Sequence, residues 1–260
     1  MKTPAQRFKI EDVQKMEEEL IYLKSRYARL LSMAMQVVDL LKEVKAKEYM
    51  LHGVCRRLTI IERCIENIYS IFPFARGTFL SQDELHDIAI YLHSFFVNIF
   101  GFLDNLAWVL VYENGNVKIN KFDVNLFNPE IKELAPSNFR DYLSVGHIKE
   151  WHDAYLKEYR DTLAHRIPPY LPRESITPEQ QQKLQSLQNE LNKQSRRDSN
   201  FERVKKLQEE IDCVGEPCIA FRHAVEESRV VFLHPQIITD FKTIEEILEK
   251  FCTSFGINDD

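Results

Sequence analysis

Residues 88 to 112 read IAIYLHSFFVNIFGFLDNLAWVLVY, a run that is apolar almost all round. A helix that is hydrophobic on every side is either a membrane span or the central helix of a protein core, and this run is long enough for either. Its polar residues decide between them. His93, Asn98, Asp104 and Asn105 are spread across its middle, where a single charge in lipid costs a few kcal/mol. The run therefore reads as the central helix of a helical core. Ser81, with Glu84 three places on, forms the capping box that starts it.

Helical patterns flank this core on both sides. From residue 10 to 49 apolar positions recur at helical spacing through Leu20, Leu23, Tyr27, Leu30, Ala34, Val37, Leu41 and Val44, which predicts one long amphipathic helix. A second is expected over 52 to 72, through Val54, Leu58, Ile61, Ile65 and Ile68, ending at Pro73 and Gly77. Residues 113 to 137, with Pro129, Pro136 and the β-prone VKINKF, read as a long connection containing one short helix. Residues 148 to 166 then carry Ile148, Trp151, Tyr155, Tyr159 and Leu163 on one stripe, and Pro168, Pro169 and Pro172 stop the helix.

Beyond them the composition shifts. Residues 173 to 215 read as an inserted helical hairpin, with Leu184, Leu187 and Leu191 on one seam, Phe201, Val204, Leu207 and Ile211 on the other, and SRRDSN between. Residues 216 to 236 read as a small β-hairpin, PCIAFRHAV against SRVVFLH across Glu226 and Glu227. A last helix is expected over 239 to 255, with Thr239 or Asp240 as its N-cap. The whole, residues 1 to 260, is expected to be a single, mostly α-helical domain.

Composition removes several function classes. The chain has seven glycines, none closer than fourteen positions to another, so it holds no glycine-rich phosphate cradle and no G-x-S-x-G nucleophile turn. Five scattered cysteines read as reduced thiols rather than a disulfide framework. Cys213 and Cys218 are too far apart for a zinc knuckle, and His147 and His152 with Asp153, or His86 with Asp87 and His93, have no standard ligand spacing. No metal and no cofactor are expected. The opening MKTPAQRFKIEDV lacks an apolar signal region, and the expected location is cytoplasmic, away from membranes.

One constellation bears chemistry. Arg followed by His after a short interval occurs three times, at Arg140 to His147, Arg160 to His165 and Arg229 to His234. Arg229 is followed by Val230 in a strand-like run, and Arg140, though followed by Asp141, lies in a broken segment with Gly146; Arg160, in KEYRDTLAHRIPPY, is followed by Asp161 and alone rides a strong amphipathic helix that ends in prolines. This RDTLAH stretch, after long helices, resembles the signature of the HEPN superfamily, over residues 10 to 170 and 239 to 255. The resemblance implies an up-and-down helical bundle and a metal-independent endoribonuclease of toxin or phage-defence type. It also implies a homodimer in which two copies of Arg160, Asp161 and His165 line one cleft and act on single-stranded RNA.

In such a site His165 would serve as acid or base, Arg160 would fork onto the phosphate, Asp161 would orient a basic neighbour, and Arg166 and Lys157 would contact RNA. Other members are non-catalytic interaction or scaffolding domains, in which case the 173 to 215 hairpin would dock a protein partner. Charge weighs on the nuclease reading: residues 147 to 172 carry four basic and four acidic side chains, whereas RNA binders show a basic excess. The net charge of -6 comes chiefly from the tail that starts at Glu216, which holds nine acidic and four basic residues.

Overall fold

The computed structural model describes residues 8–115, 119–195, 201–222 and 231–257. It is mostly helical, and its centre is α4, Gln82–Glu113. Phe95, Phe96, Ile99, Phe102 and Leu106 of this helix are fully buried. The predicted capping box is present: Ser81 Oγ accepts from the Glu84 amide at 3.2 Å and Glu84 accepts from the Ser81 amide at 2.7 Å. Arg76 grips the same carboxylate with both terminal nitrogens, at 2.7 and 2.8 Å. The hydrogen bonds from Arg76 and the Ser81 amide hold the Glu84 carboxyl down to about 2.

α1, Ile10–Leu40, is shorter than the sequence suggests, and the next helical stretch starts earlier, running unbroken from Val44 to Ile71. It consists of α2, Val44–Glu48, a π-helical segment, Tyr49–Cys55, and α3, Arg56–Ile71. No glycine or proline marks the break at Leu41 to Glu43. A carboxylate from elsewhere makes it: Glu113, at the end of α4, accepts from the Lys42 amide at 2.9 Å and the Glu43 amide at 3.1 Å. Orphan amides at a helix start need an acceptor, and here the fold supplies it. Glu113→Ala is expected to lower stability by about 1 kcal/mol, the usual worth of a cap. Urea unfolding checks this, and a midpoint equal to that of the parent protein would refute it.

After α4 come α5, Pro129–Lys132, α6, Ser137–Leu143, and α7, Gly146–Trp151. α7 continues through a second π-helical segment, His152–Leu156, into α8, Lys157–His165. No strand forms over residues 119 to 122, the described part of the β-prone run.

The arm is formed by α9, Pro178–Ser195, and α10, Phe201–Asp212. Leu207 is the one buried residue among the described positions of these two helices. A strand pair the sequence did not suggest clasps the base of the arm: β1, Glu174–Ser175, runs antiparallel to β2, Glu216–Pro217. Gly215, at φ +93, turns the chain into it, and a Cβ there would lie 3.0 Å from the Ser175 carbonyl.

The expected β-hairpin is a pairing of β3, Ala220–Phe221, with β4, Val231–Phe232. Its connection, with Glu226, Glu227 and Arg229, lies outside the described residues, as do residues 196 to 200 of the SRRDSN loop.

α11 spans Leu233–Ser254, six residues longer at its start than the cap rule suggests. Pro235 fits the first turn of a helix, where no amide partner is needed. His234, 1% exposed, sits in an aromatic nest of Tyr69, Phe72 and Phe74; its Nε2 meets the Phe72 carbonyl at 2.6 Å and its own carbonyl accepts from Tyr69 Oη at 2.6 Å. Thr239 bonds back to the Pro235 carbonyl, and Asp240 points into the core. Both residues look like caps in the sequence, but their side chains are committed elsewhere. α11 packs along α1, where Arg26 pairs with Glu245 at 2.5 Å and with Glu249.

Candidate functional site

α8 owes its position to aromatic packing. Tyr159, 1% exposed, stacks on Phe96 of α4 at 4.9 Å with the rings 8° from parallel, and Phe221 of β3 closes on both. The segment after α8 is fixed by His93 of α4, whose Nε2 meets the Pro169 carbonyl at 2.7 Å, and by the bridge between Tyr170 and Arg222.

On this support Arg160 turns toward α4. Its guanidinium lies over the ring of Phe100 at 4.4 Å, a cation–π contact. Nη1 pairs with Asp161 Oδ1 at 3.0 Å, and both side chains are 36% exposed. Nε is buried with no hydrogen-bond partner among the described residues. Asp104 of α4 feels the same guanidinium: burial pushes its carboxyl up to about 6, against the opposing pull of Arg160 and Arg57. Phe100 also stacks on His152 at 5.4 Å. This imidazole is 2% exposed and lies 2.8 Å from Asp153, and burial pushes its pKa down.

His165 is the last residue of α8 and is exposed, as are Lys157 and Arg166. The helix continues through His165 and opens only at Arg166, which is extended at φ -137 and ψ -158. Five positions on an intact helix rotate by about 140°. Arg160 and His165 therefore leave α8 on different sides, and among the described residues no hydrogen bond or ion pair joins them. The proline stop does not unwind the helix early enough to bring them together. Arg160 and Asp161 are paired, and His165 stands apart from them.

The side chains that do surround Arg160 are Phe100, Asp104 and His152. In the sequence Asp104 stands out only as a polar residue that argues against a membrane span, and His152 only as a histidine without ligand spacing. The signal for the first was present, because an acid in an apolar helix needs a cation nearby. That cation, Arg160, lies 56 positions further along the chain (160 minus 104). Among the described residues no group of three His, Cys, Asp or Glu side chains is arranged to hold a metal ion. α4 is long and apolar enough to cross a membrane, and 61% of its most apolar window is buried inside the fold. No family model, no curated protein and no solved structure matches this chain.

Proposed function

We propose that this chain is a HEPN-type helical domain and acts as a metal-independent endoribonuclease on single-stranded RNA. Arg160, Asp161 and His165 from two copies would form its active centre. One observation carries the reading: α8 holds Arg160 over Phe100 at 36% exposure and leaves His165 exposed at the same helix's C-terminus. Within one chain the two diverge, so a cleft that uses both needs the same helix from a second copy, and a two-fold axis supplies it.

In that cleft Arg160 holds the scissile phosphate and stabilises its developing charge. His165 moves the proton from the 2′-hydroxyl to the leaving 5′-oxygen. Asp161 orients Arg160 through their ion pair. Arg166 and Lys157, both exposed, extend the cationic rim.

The test is cleavage of an unstructured RNA by the purified chain in EDTA. His165→Ala and Arg160→Ala are each expected to slow it by about 100-fold or more, the lower end of acid–base and electrostatic contributions. Intact RNA, or cleavage unchanged in both variants, overturns the reading.

A second reading has its own support. Most described positions of the arm α9–α10 are exposed, Phe201 at 83% among them, which suits a docking element of a non-catalytic interaction domain. Removal of residues 177 to 212 would then abolish capture of a partner while the body stays folded.

A further inference from the structure

A cleft of about 450 Å³ opens between the π-helical segment Tyr49–Cys55, the start of α3 and the middle of α4. It shares no residue with the site described above. Two glycines make it possible. A Cβ at Gly53 would come within 2.7 Å of Asn105 Cγ, and one at Gly101 within 2.4 Å of Arg57 Cζ. Glycine weakens a helix interior, so two of them at facing positions of packed helices mark a place where room matters more than helix propensity. The π-helical turn alongside is itself a feature that collects at functional sites.

The room is filled by Arg57, which hydrogen-bonds to neutral groups and feels the charge of Asp104. Arg57 Nε donates to Asn105 Oδ1 at 2.9 Å and Nη1 to Asn98 Oδ1 at 3.1 Å. Asn98, 8% exposed, is itself fixed by donating to the Ser94 carbonyl at 2.7 Å. Among the described residues no carboxylate lies within ion-pair distance of Arg57, and its Nη2 and Asn105 Nδ2 donate to nothing. Arg56 and His52 line the same cleft from exposed positions, with no ion-pair partner among the described residues. Glu48 is the only acid on the lining. The cleft thus presents donors in excess of acceptors, in a chain whose net charge is -6.

Its remaining wall is formed by Ile60 and the aromatic Tyr49. Tyr49 lines the cleft and is backed by Trp108 at 5.6 Å and Tyr112 at 5.1 Å. Unpaired cationic donors facing a flat aromatic wall, in a volume at the lower end of small-molecule sites, fit one kind of ligand.

We propose that this cleft binds a small phosphate monoester that carries a flat ring. The phosphate sits against Arg56, Arg57 Nη2 and His52, and the ring lies against Tyr49. The site is independent of the Arg160 motif.

Titration calorimetry of the full chain with adenosine 5′-monophosphate tests it, with adenosine and inorganic phosphate as comparators. Saturable binding is expected, at least tenfold tighter than that of either comparator. Arg56→Ala and Tyr49→Leu are each expected to weaken it at least tenfold, and His165→Ala to leave it unchanged. Arg56 is exposed, so its variant keeps the fold, which circular dichroism verifies. Absence of saturable binding at about 5 mM ligand, equal affinity for adenosine, or full affinity in folded Arg56→Ala overturns the proposal. None of these outcomes depends on whether the chain cleaves RNA.

Discussion

Phe96→Ala is expected to lower stability by about 3–5 kcal/mol, the range for removing a buried phenylalanine when the site cannot collapse around the gap. Phe96 is fully buried, and the rings around it come from two separate parts of the chain, the continuous helix from α7 to α8 and β3. Tyr159 of α8 stacks on it at 4.9 Å, Tyr155 of the π-helical segment meets it at 6.1 Å, and Phe221 of β3 at 5.7 Å. These are large, stiff rings held by their own backbones, so relaxation into the cavity is limited. Urea unfolding should show a lower midpoint with an unchanged slope. A loss below about 1 kcal/mol would mean that the three elements repack without the ring.

The same substitution has a local consequence. Tyr159 immediately precedes Arg160, so a Tyr159 that has lost its stacking partner no longer fixes where the guanidinium lies over Phe100. Phe96→Leu keeps most of the volume and should cost less, about 1–1.5 kcal/mol.

Which parts of this architecture can be read in the sequence follows from the range of the interactions that make them. The start of α4 is legible because Ser81 and Glu84 cap each other within one turn. The break after α1 is not, because its acceptor, Glu113, is 71 positions away from Lys42. The start of α11 misleads for the same reason. Thr239 and Asp240 carry the chemistry of an N-cap, yet the helix has already begun at Leu233, held by contacts of His234 with Tyr69 and Phe72. The β1–β2 clasp, two residues per strand and one of them Pro217, has too little pattern to be seen before the chain is folded.

The candidate site divides likewise. Arg160, Asp161 and His165 stand out as a linear motif, and the polar residues of α4 stand out as an anomaly in an apolar run. What the linear pattern does not carry is which cation meets which of them: Asn98 and Asn105 hold Arg57, and Asp104 feels the charge of both Arg160 and Arg57. Gly53 and Gly101, unremarkable as single glycines in sequence, acquire a role only when the helices are side by side.

Asp240 gives the second large effect, and its dependence on pH can be derived. Its carboxylate is fully buried on α11 and accepts from Trp151 Nε1 at 2.9 Å, Tyr155 Oη at 2.7 Å and Gln236 Nε2 at 2.8 Å. It ties the helical stretch from α7 to α8 onto the last helix. Asp240→Ala strips three donors of their acceptor at once, and two of them, on Trp151 and Tyr155, belong to another part of the chain. With about 1–3 kcal/mol for each buried donor left unsatisfied, offset by relief of the carboxylate's own desolvation, the expected loss is about 2–4 kcal/mol.

Burial pushes this carboxyl up to about 7, only partly countered by the three donors. In the unfolded chain it returns to the ordinary value near 3.8. Between those two values the folded protein holds a proton that the unfolded chain has released, so stability from this group is complete below about pH 4. It drains away as pH rises toward 7 and is level above that. Asp240→Asn keeps the shape and an acceptor but cannot titrate. Its stability should therefore fall less steeply than the parent protein's between pH 4.5 and 7.5, with the gap between the two curves widening or closing across that window. Parallel curves from denaturant unfolding over the same range would show that Asp240 keeps one charge state throughout.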